Sequence, residues 1–283
     1  MSSTEINLEQ ADAEVLFFDD FNLAELDRTK WNVRTTGEVY NNEQQAYADS
    51  FETIYVVPSE EVPGAKNGVL IIHPLYRPGF ITPEGKRFDF ISGRIDTRGK
   101  FDFAYGTAAA RIMLPSGAGL WPAFWLIGNG KWPDSGEIDV MEYVGEPDWV
   151  SAALHGPGYC GETALVNKLF FPNDQDATAW HIYAVDWTPD KLIFKVDGVT
   201  IYRVTRQMTD FFGRWVLDNN KYLILNFALG GTYPFKTNGI QIPYYGLPEP
   251  TVQMIKNNQV KLKIDWIRVT RNESTGDNDN SNS

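Results

Sequence analysis

Short apolar runs, cut every few positions by glycine, proline or aspartate, set the rhythm of this chain. GVLIIHPLY, TAAARIMLP, PAFWLIG, VSAALH, HIYAVDW, KLIFKV, VTIYRVT, YLILNFAL and VKLKIDWIRV are all of this kind. Runs rich in β-branched and aromatic residues and bounded by turn formers read as strands. Between KLIFKV and VTIYRV stands Asp197-Gly198, a dipeptide that tolerates positive φ at both positions and so closes a two-residue hairpin. Apolar residues at helical spacing are rare, and TRQMTDFFGRW offers a helical turn or two. Many short strands at this spacing predict an all-β chain, folded as a two-sheet antiparallel β-sandwich. Polar ends frame it. Residues 1–13 and the low-complexity stretch NESTGDNDNSNS, 272–283, are expected to be disordered, leaving one domain over 14–271.

One predicted strand breaks the pattern. GEIDVMEYVG, residues 136–145, carries Glu137, Asp139 and Glu142 among apolar neighbours, and ionised carboxylates are costly near a core unless paired or hydrogen-bonded. Side chains alternate along a strand, so Glu137 and Asp139 share one face while strict alternation sends Glu142 to the other. A β-bulge at Met141 would restore the parity and line up all three acids. Two glutamates four regular strand positions apart have Cα atoms about 13 Å apart. Side chains leaning across that gap reach the roughly 5 Å carboxyl separation of a double-displacement glycosidase. Like charges held so close cannot all ionise, so one proton is shared, which is the state a general acid needs. The same three acids also suit a solvated strand face, or oxygen ligands for calcium or magnesium. Just upstream, LWPAFW places Trp121, Ala123 and Trp125 on one face. Two indoles flanking a small residue form a platform for the apolar faces of sugar rings, although core strands use aromatics there too.

Composition narrows the partner class. With 283 residues, 43% of them hydrophobic, the chain can bury a sizeable core, and 9 Trp add to the case for an aromatic-lined site. A net charge of −12 argues against nucleic acid and anionic membrane surfaces and is compatible with an uncharged glycan. No run approaches the ~20 apolar residues of a membrane span. Cys160 is the single cysteine, so no intrachain disulfide forms. MSSTEINLEQADAE has neither the basic nor the apolar region of a signal peptide.

FFDDFN, NNEQQAY, SGRIDTRGKF, GLWPAFWLIG, WPDSGEIDVMEYVG, HGPGY, YAVDWTPDKL, LILNFALGG and IDWIRV follow one another along the chain. This ordered set resembles glycoside hydrolase family 16, in the laminarinase-like branch with an extra residue between the aspartate and the second glutamate. The likeness runs across most of the domain. It implies a concanavalin-like β-jelly roll with a concave substrate cleft, Glu137 as nucleophile, Glu142 as acid/base and Asp139 as the residue that holds and polarises Glu137. Matched positions also imply sugar contacts from Trp121, Trp125, Asn42, Glu43, Arg94 and His155. A structural calcium is implied at Asp20, the Gly68 carbonyl and Asp265, and no catalytic cofactor. The expected activity is retaining, endo-acting cleavage of β-1,3-glucan or mixed β-1,3/1,4-glucan. Expected too are a monomer, a polysaccharide partner, and an extracellular or cell-envelope location for the native protein. Another specificity of the family (agarase, carrageenase or transglycosylase) and a non-catalytic glucan-binding module stay open as alternatives.

Overall fold

Residues 13–172 and 174–271 are described in the computed structural model. The terminal segments expected to be disordered lie outside the described residues, apart from Ala13. Each apolar run named above forms or contains a strand, and the strands assemble into two large antiparallel sheets. One sheet has seven strands, in the order Leu165–Phe170, Trp149–His155, Glu137–Glu142, Leu120–Gly128, Lys221–Leu229, Arg94–Asp96 and Asn32–Val33. The other has eight, with Trp180–Trp187, Gly106–Met113 and Leu262–Thr270 running side by side through its middle. A three-stranded sheet contains the one parallel pair among the described strands, Gln45–Tyr47 against Arg87–Ser92.

Alternation explains why the two sheets stack. Phe124, Leu126, Ile138, Leu154 and Leu225 of the seven-stranded sheet are fully buried against Ala110, Ile112, Val185, Ile264 and Ile267 of the other. Burying each large aliphatic or aromatic side chain contributes about 1.5–3 kcal/mol. Along Leu120–Gly128, Leu120, Phe124 and Leu126 enter this core while Trp121 and Trp125 stay half-buried on the opposite face. That outer face of the seven-stranded sheet carries the candidate chemistry.

The hairpin forms as the dipeptide predicts, with φ of 49° at Asp197 and 78° at Gly198 and Val196 paired to Val199. TRQMTDFFGRW supplies a single helical turn, Arg206–Thr209, begun where the Thr205 side chain accepts from the Met208 amide. Several elements fall outside the apolar runs, and two of them show why. The strand Leu165–Phe170 sits at a sheet edge with most of its residues exposed. The helix Glu249–Lys256 buries only Thr251, Val252 and Ile255, too few positions to establish a helical period.

Candidate active site

The bulge that alternation demanded is present. Trp125 pairs with Asp139, but its neighbour Phe124 pairs with Met141, so Val140 is the extra residue on that side. On the other side Asp139 and Glu142 pair with Ala153 and Ser151, and Val140 and Met141 together span one position. The bulge thus takes in Val140 as well as Met141. Ile138, Val140 and Met141 all enter the core, which turns Glu137, Asp139 and Glu142 to the opposite face together.

Indole donors single out the two glutamates. Trp132 Nε1 donates to Glu137 Oε2 at 2.8 Å, and Trp121 Nε1 donates to Glu142 Oε1 at 3.1 Å. Between them Asp139 is buried, with His155 Nε2 3.2 Å from its Oδ2 and 4.0 Å from Glu137 Oε1. The contact with Asp139 is close but poorly aligned, so Asp139 Oδ2 lacks a full hydrogen bond. The Gly161 amide donates to His155 Nδ1 at 3.1 Å. In neutral imidazole that leaves the proton on Nε2, aimed at the acids. Glu137, Asp139 and His155 do place ligand atoms within 4.8 Å of one another. A protonated Nε2 has no lone pair for a metal, and the cluster is suited instead to sharing protons.

Burial, reinforced by the charge of Asp139, pushes Glu137 up to about 8, with His155 and Trp132 opposing. Burial and then Asp139 push Glu142 up to about 8, and burial pushes Asp139 up to about 7. The trio therefore holds protons through neutral pH, and its titration belongs to the group rather than to one residue. Each glutamate has one indole N–H that favours its negative charge, Trp132 on Glu137 and Trp121 on Glu142.

A second polar cluster lies one and two strands away. Trp125 Nε1 donates to Asn226 Oδ1 at 2.7 Å, and Asn226 Nδ2 donates to Tyr47 Oη at 2.9 Å. The Arg94 guanidinium lies 5.0 Å from the centre of the Trp125 ring, and its Nε makes no hydrogen bond. Glu43 accepts from Gln45 Nε2 at 3.0 Å; burial raises its carboxyl, opposed by Gln45 and by nearby Arg94. Asn42 is exposed on the rim, where its amide donates to Thr232 Oγ1 at 3.3 Å. Trp121 meets Tyr233 edge-on at 5.6 Å, and the Tyr233 hydroxyl lies 3.0 Å from Ser151 Oγ, beside Glu142. Trp132, Tyr233, Ser151, Asn226 and Tyr47 were not among the site residues expected from sequence. Asn226 has a visible mark, a lone amide inside the apolar run YLILNFAL. Trp132 and Tyr233 reach the site from a loop and a helix, where no periodicity points.

Asp20, Gly68 and Asp265 are drawn toward one corner of the eight-stranded sheet. Asn22 links two of them, accepting from the Gly68 amide at 2.8 Å and donating to Asp20 Oδ2 at 2.6 Å. Asp265 is buried, accepts from the Lys66 and Asn67 amides at 3.0 and 3.1 Å, and pairs with Arg111 Nη1 at 2.5 Å. Its two oxygens thus meet N–H donors, and Arg111 supplies the opposing charge. Calcium wants open oxygen ligands, so these carboxylates as placed do not fit one. Exhaustive chelation is expected to leave the melting temperature unchanged; a fall of several degrees would show an ion displacing these donors.

Comparison with known proteins identifies the family and the fold. The model of the family "Glycosyl hydrolases family 16" matches residues 77–268. A β-glucanase of Rhodothermus marinus is 33% identical over 234 residues, which cover 78% of this chain and 77% of that protein. Glucan endo-1,3-β-glucosidase A1 of Niallia circulans is 32% identical across 79% of this chain, which spans only 35% of that relative's length. Among solved structures, the endo-β-1,3-glucanase of Pyrococcus furiosus superposes with a TM-score of 0.77 at 30% identity, covering 91% of this chain and 94% of that one. With its bulged acidic strand and a match over most of its length, the chain belongs to glycosyl hydrolase family 16.

Proposed function

We propose that this protein is a retaining, endo-acting glucanase that cuts β-1,3-glucan or mixed β-1,3/1,4-glucan by double displacement. The observation that carries the reading is the bulged strand, which presents Glu137, Asp139 and Glu142 on one face with an indole N–H on each glutamate. The Rhodothermus marinus and Pyrococcus furiosus proteins, named for β-glucan and β-1,3-glucan, support the substrate class. In the first step the Glu137 carboxylate bonds to the anomeric carbon as the glycosidic C–O bond breaks, and Glu142 gives its proton to the leaving oxygen. In the second, Glu142 takes a proton from water, whose oxygen bonds to the same carbon as the bond to Glu137 breaks. Asp139 carries the proton it shares with Glu137, with the His155 N–H beside it. Because the substrate is a polymer, we infer that the reaction takes place outside the cell or in its envelope.

Trp125 tests how the chain is held. Its ring is fixed by Asn226 and flanked by Arg94, so stacking on it orients the polymer across the acids. Trp125→Ala is expected to lower turnover of polymeric glucan about tenfold or more with the fold intact. Wild-type kinetics from a folded variant would return Trp125 to a packing role. For the substrate class, products from laminarin, lichenan, agarose and carrageenan are compared side by side. Soluble oligosaccharides from laminarin or lichenan are expected, and cleavage of agarose or carrageenan alone would overturn the assignment.

A further inference from the structure

Lys221 is fully buried, yet no carboxylate is among its hydrogen-bond partners. It opens the strand Lys221–Leu229, paired with Gly128, and its Nζ points into the turn that precedes the acidic strand. There it donates to the Ser135 carbonyl at 2.8 Å, to Asn219 Oδ1 at 3.1 Å and, at the limit of reach, to the Val216 carbonyl at 3.4 Å. Gly136, with φ of 67°, sits directly on this ammonium: a Cβ there would lie 3.0 Å from Nζ and 2.6 Å from the Val216 carbonyl. The next residue is Glu137. The same turn carries Trp132 and is closed by the Ser135 and Gly136 amides, which donate to the Lys131 and Pro133 carbonyls.

A buried ammonium among neutral oxygens is costly, and burial lowers Lys221 to about 7, with Asp218 and then Glu137 opposing. An apolar side chain would fill this position at less cost, so the lysine calls for a reason. We propose that Lys221 is a positioning residue for Glu137: by clamping the 131–136 turn to the sheet it holds the Trp132 N–H on the carboxylate that attacks the sugar. The charged or titratable groups around Glu137 are Asp139 and Glu142 on its own strand, His155 on the next, and Lys221; those around Lys221 are Asp218 and Glu137. The inference rests on Glu137 being the nucleophile.

Loss of the clamp frees the Trp132 N–H and makes the Glu137 carboxylate harder to ionise, which moves the acidic limb of the kcat/KM profile to higher pH. With an aryl β-glucan oligosaccharide as substrate, Lys221→Met is expected to lower kcat about tenfold, change KM less than about twofold and raise that limb by about half a pH unit or more. Asn219→Ala, which removes one acceptor and keeps the lysine, is expected to move the limb the same way by less. Trp132→Phe should shift the limb the same way, and Lys221→Met added to it should shift it further by clearly less than Lys221→Met does alone, because only the direct charge effect of the ammonium then remains. Folded Lys221→Met with a wild-type limb, or additive shifts in the double variant, would overturn the clamp. If Lys221→Met does not fold, an unmoved limb in Asn219→Ala overturns it. A wild-type protein inactive on every glucan would instead overturn the functional reading itself.

Discussion

Glu137→Ala and Glu142→Ala will each lose hydrolysis of laminarin by about 10⁴-fold or more, as expected when a member of a catalytic group acting as a unit is removed. Loss alone does not separate the roles, but the chemistry of rescue does. In Glu142→Ala, an aryl glycoside with a good leaving group needs no protonation and still forms the glycosyl-enzyme on Glu137. Hydrolysis of that intermediate then stalls for want of a base. Azide needs no deprotonation, so it restores turnover and gives the β-glycosyl azide after two inversions. In Glu137→Ala no covalent intermediate forms, azide enters from the vacated face, and the product is the α-azide after one inversion. The structure ties these roles to particular atoms: Trp132 donates to Glu137, and Trp121 donates to one oxygen of Glu142. The reverse pattern of azides would exchange the two glutamates.

Glu142→Gln will melt at a higher temperature than the wild type, and its advantage will grow with pH. Burial and the neighbouring acids raise Glu142 to about 8 in the folded protein, against about 4.3 in an unfolded chain. Between those values the folded state holds a proton that the unfolded state has released. Stability contributed by the protonated group is therefore lost as pH rises through this window, and the loss levels off above the folded value. Glutamine keeps an oxygen for the Trp121 indole and does not titrate. The variant is expected to gain about 5 °C or more at pH 8 and little at pH 4.5, by calorimetry at both. A lower melting temperature at pH 8 would mean that the carboxylate is stabilised in place. This is the usual tension between a working site and a stable one.

How much of this was legible in the residues depends on whether the information was local. The hairpin at Asp197-Gly198 is a backbone preference of two residues and forms as read. Trp121 and Trp125 share a face because strand alternation allows nothing else, and the misfit of Glu142 with that alternation announced the bulge. The motif could not say that Val140 shares the irregularity, because that depends on which residues of the neighbouring strands pair. The pairing of Arg111 with Asp265 joins positions 154 residues apart, so the motif that suggested calcium could not show which donors meet that carboxylate. Lys221 reads in sequence as a charged residue at the start of a strand, the usual place for a solvated lysine. Only the packing of the 131–136 turn over it shows that it is buried. Trp132 stands five residues before Glu137, yet only the folded turn brings its N–H back onto the carboxylate.

The central claim is double displacement on Glu137, and the anomeric configuration of the first product tests it most directly. Proton NMR of wild-type protein with laminarin, read in the first minutes before mutarotation, follows the new reducing end as it forms. The account predicts the β-anomer first, with the α-anomer growing in only at the rate of mutarotation. An α-anomer appearing first would mean single displacement by water and would remove Glu137 from the role of nucleophile.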